Sequence, residues 1–213
     1  MSISEYVTQQ KAIQKSLLDY IEHEGNDKSY YDNLIKLLDN PSIRKAKSEL
    51  STTLRLIADV SNNYHRTPDF FHKIFQIILF FKDDIKQTFT NLQILKIFRK
   101  NKQVILFLIK EQILIPDKSV VEKISYENYK KKFFPCFFYP ELKNFMDDKL
   151  LREVEPKIND INKNGPNAFE QFREIGENNE QICDLIRKDS LDEFTSHVKA
   201  NNVSLSKTIE PSV

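Results

Sequence analysis

The chain has 213 residues, with 32 Lys and Arg against 31 Asp and Glu, which gives a formal net charge of +1. This balance provides no general attraction to nucleic acid or to an anionic membrane. The chain contains three glycines. It therefore has little of the backbone freedom that hairpin turns, phosphate-binding loops and doubly wound crossovers need, and we expect an all-α protein.

The two cysteines, Cys136 and Cys183, lie far apart and form no CxxC motif. This spacing favours reduced thiols in a cytoplasmic protein over a disulfide framework. The N-terminal stretch is polar, and the longest apolar run, residues 104–109, is much shorter than a membrane span. We therefore expect a cytoplasmic protein without a membrane-spanning segment.

Apolar residues recur at helical spacing along the first part of the chain. The predicted helices are, in chain order, one from Ile13 to Ile21, a short one from Leu34 to Leu38, one over residues 43–60 preceded by Pro41, and one over residues 68–86. The last of these is apolar over a wide arc, which is typical of a helix buried in the centre of a protein.

The stretch SNNYHRTPDFFHKI, residues 61–74, contains signals for a helix end and a helix start. Asn62 and Asn63 would close the preceding helix. Thr67 is placed to act as the N-cap of the next helix, Pro68 suits its first position, and Asp69 would face the positive end of the helix dipole. We predict that Thr67 caps a helix that runs through about Ile85.

The same stretch contains two histidines, His65 and His72, seven residues apart. A metal or general-base site would need a third ligand or a nucleophile nearby, and the sequence contains no HExxH or similar spacing. We therefore predict a structural role for both histidines and no metal shared between them.

An internal repeat links the middle of the chain to its C-terminal part. Residues 93–101 read QILKIFRKN and residues 181–189 read QICDLIRKD, and each copy is followed by a second segment with helical spacing. A short helix, a polar turn and a longer helix form the unit of helical repeat proteins, so we expect stacked, solenoid-like helix pairs. Ser190 and Glu193 fit a capping box at the second copy. Chance similarity between two amphipathic helices is the alternative.

No phosphate loop, dinucleotide fingerprint, nucleophile elbow, zinc ribbon or EF-hand loop occurs in the sequence, so we predict no catalytic, cofactor-binding or metal-binding residues. The acid pairs Asp83-Asp84 and Asp147-Asp148 are adjacent residues. Neighbours on a helix point about 100° apart and do not converge on one site. Solvated helix faces are the preferred explanation for both pairs.

The segment YKKKFFPCFFYP, residues 129–140, joins three lysines, Lys130 to Lys132, to a run of aromatic rings and two prolines. Interleaved cations and rings can bind single-stranded nucleic acid or dock on a membrane surface. We favour a connection bounded by proline whose rings are buried while the lysines stay in water, since the chain lacks a broad positive field.

Residues 152–168 are polar and contain Pro156, Gly165 and Pro166, which indicates a linker or a surface loop. The predicted organisation is a helical domain over residues 1–151, a polar linker or connecting helix over residues 152–178, and a final helix pair with its tail over residues 179–213.

Several motifs in order resemble the N-terminal helical region, a domain of unknown function, of protist ankyrin-repeat proteins. They are SNNYHRTPDFFHKI with the apolar helix after it, NLQILKIFRKNKQVILFLIKE, REIGENNEQICDLIRKDSLDEF and NNVSLSKTIEPS. The resemblance runs from about residue 43 to the C-terminus. It implies a non-enzymatic interaction scaffold that leads into an ankyrin array, with residues 180–200 as an atypical first repeat. The ankyrin signature TPLHxAA itself is not present.

The predicted function is therefore a protein–protein interaction scaffold, the N-terminal capping module of an ankyrin-repeat protein. A helical nucleic-acid-binding module centred on residues 129–140 and a small helical enzyme are the alternatives. We expect an apolar docking surface at the C-terminal end, for downstream repeats or for another copy of the chain. The predicted partner-binding residues are Phe194, Val198, Val203, Leu205 and Ile209.

Overall fold

A computed structural model describes residues 3–25, 27–64, 67, 69–127, 134–163, 165, 167–175 and 181–201. These residues form fifteen α-helices and one 3-10 turn, and they contain no strand. The prediction of an all-α protein is confirmed, whereas stacking of the helix pairs into a solenoid stays a prediction.

The chain divides into two compact units, Met1–Leu114 and Ile115–Val213. The first unit contains α1 (Ile3–Glu22), α2 (Lys28–Leu38), α3 (Pro41–Lys45), α4 (Lys47–Asn63), α5 (Phe70–Phe80), α6 (Lys82–Thr88), α7 (Asn91–Phe98) and α8 (Lys102–Lys110). The second contains α9 (Lys118–Glu127), α10 (Phe134–Phe137), α11 (Tyr139–Leu142), the 3-10 turn (Lys143–Phe145), α12 (Asp148–Asn162), α13 (Ala168–Ile175), α14 (Gln181–Arg187) and α15 (Leu191–Ala200).

The predicted domain limit at residue 151 lies inside α12, and the division between the compact units lies at residue 114. Residues 152–162, for which the sequence suggested a linker, loop or connecting helix, are helical. α12 continues through Pro156. Proline removes the N–H that would bond to the carbonyl of Arg152, four residues earlier, and both residues are exposed, so water can satisfy that carbonyl.

Two predicted helices are each interrupted at one residue. Ala46, with φ −96° and ψ 114°, separates α3 from α4 within the predicted helix over residues 43–60. Phe81 separates α5 from α6, and its N–H donates to the Ile78 carbonyl in the tighter 3-10 manner. A break of one residue keeps apolar side chains three or four apart, so the apolar spacing does not reveal it.

The start of α5 differs from the prediction. The helix begins at Phe70, whose N–H donates to the Thr67 carbonyl at 3.1 Å, and its N-cap position is Asp69. The Thr67 hydroxyl is buried and has no hydrogen-bond partner within the described part of the chain. Thr67 as a side-chain N-cap was therefore wrong, because the helix starts too late for its hydroxyl to reach the first amides. Pro68 lies outside the described residues.

α5 is the central helix of the first unit, as its wide apolar arc indicated. It packs against α1, α4 and α8. Its side chains Phe70, Ile74, Ile77 and Ile78 are at most 1% exposed. On its other side, the rings of Phe75 and Phe107 stack with their centroids 4.0 Å apart and join α5 to α8. The hydrophobic effect of this burial holds the helices of the first unit together.

A buried lysine of α5 binds the end of α1. Lys73 is 8% exposed, and its Nζ donates to the carbonyls of Ile21 and His23 at 3.2 and 2.5 Å. The last carbonyls of a helix have no partner within the helix and carry its negative dipole end, so a cation stabilises them. Beside it, Tyr20 donates its hydroxyl proton to Gln76, and burial raises the pKa of Tyr20 to about 12, with added effects of Tyr31 and Asp69.

Asn101, the last residue of the first repeat copy, bonds to two helices at once. Its Oδ1 accepts from the Val104 N–H at 3.1 Å and caps α8. Its Nδ2 donates to the Ser61 carbonyl in the last turn of α4 at 2.8 Å. Asn101 is 7% exposed, so both bonds are shielded from water. The residue therefore fixes the start of α8 against the end of α4.

The second unit is built around the hydrophobic part of the segment 129–140. Phe134, Phe137 and Phe138 are at most 6% exposed, and the rings of Phe137 and Phe138 meet edge to face with centroids 4.9 Å apart. The prediction that these rings are buried is confirmed for the rings that the structure describes. Residues 128–133, which include Lys130 to Lys132, lie outside the described residues.

A buried arginine connects α13 to this region. Arg173 is 5% exposed, and its Nε donates to the Phe137 carbonyl at the end of α10 at 2.8 Å. Its guanidinium also pairs with Glu141 and with Glu170. The same group lies 5.7 Å from the centre of the Phe169 ring. Because the Arg173 guanidinium is shielded from water, its charge-assisted bonds fix the position of α13 within its unit.

We predict that Asn101→Ala lowers the free energy of unfolding by about 2–4 kcal/mol, because it removes a helix cap and leaves the Ser61 carbonyl buried without its donor. Asn40→Ala is the matched control. Asn40 caps α3 by accepting from the Ser42 N–H, so its loss should cost about 1 kcal/mol. Urea unfolding measures both. Equal losses at the two positions would contradict the assigned role of the Ser61 bond.

We predict that Phe137→Ala lowers the free energy of unfolding of the second unit by about 3–5 kcal/mol, since it creates a cavity in place of a fully buried ring. Phe145→Ala removes a ring that is 42% exposed and should cost much less. Thermal unfolding monitored by circular dichroism compares the two variants. A stable Phe137→Ala protein would show that this ring is not part of the core.

Candidate interaction surface

Both copies of the sequence repeat fold as a helix, a three-residue connection and a second helix. The first copy forms α7 and α8, joined by residues 99–101, and the second forms α14 and α15, joined by residues 188–190. We call them the first pair and the second pair. Since equivalent residues differ by 88 in number, environments in the two pairs can be compared directly.

The connections of the two pairs differ in geometry. In the second pair the Asp189 N–H donates to the Ile186 carbonyl at 3.2 Å and the Ser190 N–H to the Leu185 carbonyl at 3.0 Å. Asp189 has φ 53°, so these bonds form a Schellman ending of α14. Its equivalent, Asn101, has φ −119° and caps the following helix instead. In the aligned numbering, the second helix of the second pair therefore starts one position later, because Ser190 precedes α15 whereas its equivalent, Lys102, is the first residue of α8.

The capping box predicted at Ser190 and Glu193 was wrong, because Ser190 makes no side-chain capping hydrogen bond. Its backbone takes part in the Schellman ending, with ψ 72°, and this geometry differs from the extended one in which a capping serine reaches the amides. A capping box is present instead at the start of the first pair. Thr90 and Gln93 bond reciprocally there, with the Thr90 N–H donating to Gln93 Oε1 at 3.1 Å.

The second pair is less buried than the first. Ile182 and Leu185 are 7% and 5% exposed and form its covered side. In contrast, Ile186 is 57% exposed and Leu191 is 71% exposed, on either side of the connection. Within α15 itself no residue is buried. In the first pair the residue equivalent to Ile186 is Phe98, which is 1% exposed.

The predicted partner-binding residues fall into two groups. Phe194 and Val198 lie on α15 and are half-buried. Val203, Leu205 and Ile209 lie outside the described residues. The two most exposed apolar side chains of the second pair, Ile186 and Leu191, were not among the predicted partner-binding residues. The sequence did contain a signal for the exposure of Leu191. It follows a polar connection directly, and a side chain at the first position of a helix has few neighbours.

The charges around the two connections differ in sign. Residues 93–105 contain four Lys or Arg and no Asp or Glu, whereas residues 181–193 contain two Lys or Arg and four Asp or Glu. Asp189, Asp192 and Glu193 are exposed next to Leu191. Asp192 and Glu193 lie in the first turn of α15, where the helix dipole favours negative charge. Leu191 therefore has an acidic border, whereas Ile186 is followed in the chain by Arg187 and the exposed Lys188.

Two carboxylates of the acid pairs noted in the sequence, Asp84 and Asp147, have structural partners. Asp84 Oδ2 accepts from Arg44 Nε at 2.8 Å, and its side chain is 18% exposed, so the prediction of a solvated face was wrong for this residue. Arg44 also binds Asp39 at 2.7 Å. Asp147 caps α12 by accepting from the Leu150 N–H at 2.8 Å. Each of these bonds stabilises a helix end or a helix contact.

The histidines and cysteines can be placed in part. His72 is exposed on α5, and His65 lies outside the described residues. Among the residues that the structure describes, no group of three or more His, Cys, Asp or Glu could hold a metal ion. Cys136 is buried and Cys183 half-buried. Burial raises the pKa of the Cys136 thiol, which opposes formation of a reactive thiolate.

We predict that Leu191→Asp changes the free energy of unfolding by less than about 0.5 kcal/mol, because the side chain is largely exposed and an acid suits the start of α15. Leu185→Asp, at a buried position of the same pair, should cost several kcal/mol, since it places a charge in the covered side. Thermal unfolding tests both. A large loss in the Leu191 variant would mean that this side chain is part of a packed core.

Comparison with protein-family models, with curated proteins and with solved structures finds no match to this chain. In the described part of the chain, no helix combines the length and the apolar character needed to cross a bilayer. The relation to the N-terminal region of ankyrin-repeat proteins therefore stays a prediction from the sequence motifs.

Proposed function

We propose that this chain is a non-catalytic protein–protein interaction scaffold, and that the second pair presents its docking surface. The observation that carries the proposal is the exposure of Ile186 and Leu191, at 57% and 71%, on a helix pair whose first copy is buried at the equivalent of Ile186. Large apolar side chains grouped on a surface and bordered by polar residues are typical of protein interaction sites.

The repeated architecture supports the same function. Helix pairs of this kind bury one face against one neighbouring unit and another against the next, so a pair with an exposed apolar face can receive a further unit. On the basis of the sequence resemblance, we propose that the chain acts as the N-terminal capping module of an ankyrin-repeat assembly. The proposal places it in the cytoplasm, where Cys136 and Cys183 stay reduced.

The buried rings of the segment 129–140 argue against the alternative of nucleic-acid binding through this segment. Bases stack on rings that are accessible from solvent. Phe134, Phe137 and Phe138 are buried in the second unit. The ring centroids of Phe134 and Phe138 lie 5.2 Å apart. These buried rings stabilise the second unit and are not accessible for stacking with bases.

Affinity capture from an extract of the source cells tests the proposal. The full-length wild-type chain should retain a defined set of proteins, and Leu191→Asp should lose them because a charge replaces the most exposed apolar contact. The matched control is Leu92→Asp, which changes a leucine that is 40% exposed on α7 of the first pair and should leave the set unchanged. Retention of the same proteins by all three forms would exclude the second pair as the docking surface.

A further inference from the structure

The first pair packs against another helix of its unit. α7 packs against α4, an amphipathic helix of 17 residues. Phe98, near the connection of the first pair, is 1% exposed, and its equivalent Ile186 is 57% exposed. The Asn101 side chain also joins the connection of this pair to the last turn of α4 at 2.8 Å. In the first copy of the repeat, an amphipathic helix is therefore a direct neighbour of both the first helix and the connection.

The chemistry at the connection determines which kind of helix the second pair can take. Asn101 is a donor, and it matches the electronegative carbonyl end of α4. The equivalent residue is Asp189, whose ionised side chain accepts hydrogen bonds and does not donate them. The exposed Asp192 and Glu193 add negative charge beside it. A helix end with exposed carbonyls would be repelled there, whereas basic side chains would be attracted.

We propose that the second pair binds an amphipathic helix of a partner protein, whose apolar face covers Ile186 and Leu191 and whose flanking Lys or Arg residues face Asp189, Asp192 and Glu193. The inference rests on the proposed scaffold function and adds the chemical class of the partner. The apolar contact supplies most of the affinity. The charge pairs at its border set the partner's orientation and make association dependent on salt.

A synthetic helical peptide that repeats LKKLLKL twice tests the inference on the full chain, with a peptide that repeats LEELLEL as the control of opposite charge. Fluorescence anisotropy at low and high salt measures the dissociation constants. The basic peptide should bind at least about tenfold more tightly than the acidic one, since like charges at an interface are unfavourable. Leu191→Asp should weaken binding by about tenfold or more, as the loss of a central apolar contact does.

Two further variants separate specific charge pairing from general attraction. The double variant Asp192→Asn, Glu193→Gln should weaken binding severalfold and reduce its salt dependence. Glu153→Gln removes an exposed acid on α12 and should have no effect. Binding of the basic peptide that is unchanged by Leu191→Asp and by the double variant would overturn the inference.

Sedimentation velocity distinguishes the other occupants. If the chain associates with itself through Leu191 and excludes the peptide, a second copy covers the surface and the inference is wrong. If the chain is monomeric and binds neither peptide, the surface is covered within the chain, which also overturns it. If the chain binds neither peptide but still captures proteins, and Leu191→Asp abolishes that capture, the basic-helix chemistry is refuted and the scaffold function is not. If the chain binds neither peptide and captures no proteins through Leu191, the scaffold function is refuted as well.

Discussion

Burial of the apolar faces of short helices is the interaction on which both units depend. α5 has 11 residues, α7 has 8 and α8 has 9. Isolated helices shorter than about 12–15 residues are marginal in water, so these segments become stable through contact with neighbours. α5 meets this requirement by packing against α1, α4 and α8, and the buried rings of Phe137 and Phe138 provide the corresponding interior of the second unit.

Three buried polar side chains determine how helices meet, and all three use the same chemistry. Lys73 donates to the carbonyls at the end of α1, Asn101 to the Ser61 carbonyl in the last turn of α4, and Arg173 to the Phe137 carbonyl at the end of α10. The last carbonyls of a helix lack partners within the helix, and their burial is costly without a donor. Apolar contact tolerates sliding, but a bond to one carbonyl does not. These three residues therefore fix the register of the helices that they join.

The second pair differs from the first in this respect, and the difference connects the fold to the proposed function. Asn101 binds α4 through its amide, whereas Asp189 at the equivalent position is exposed and acidic. The first pair thus has a neighbouring helix bonded to its connection. Ile186 and Leu191 of the second pair stay exposed, with acidic residues beside Leu191. One repeated sequence provides an internal structural contact in one place and exposed apolar side chains in the other.

Sequence alone determined the all-α class, the central burial of the helix that begins near residue 70, and the helix pairs at both repeat copies. These features could be predicted because apolar spacing and glycine content are properties of the chain itself, and the apolar face of a helix is the face that becomes buried. It did not predict the breaks at Ala46 and Phe81, which leave the spacing intact, or the late start of α5 that leaves Thr67 without a capping role. Tertiary structure alone decided which donor reaches which carbonyl and that Ile186 is exposed while Phe98 is buried. Both depend on which helices pack together, and the repeated motif by itself does not show which neighbours each copy will contact.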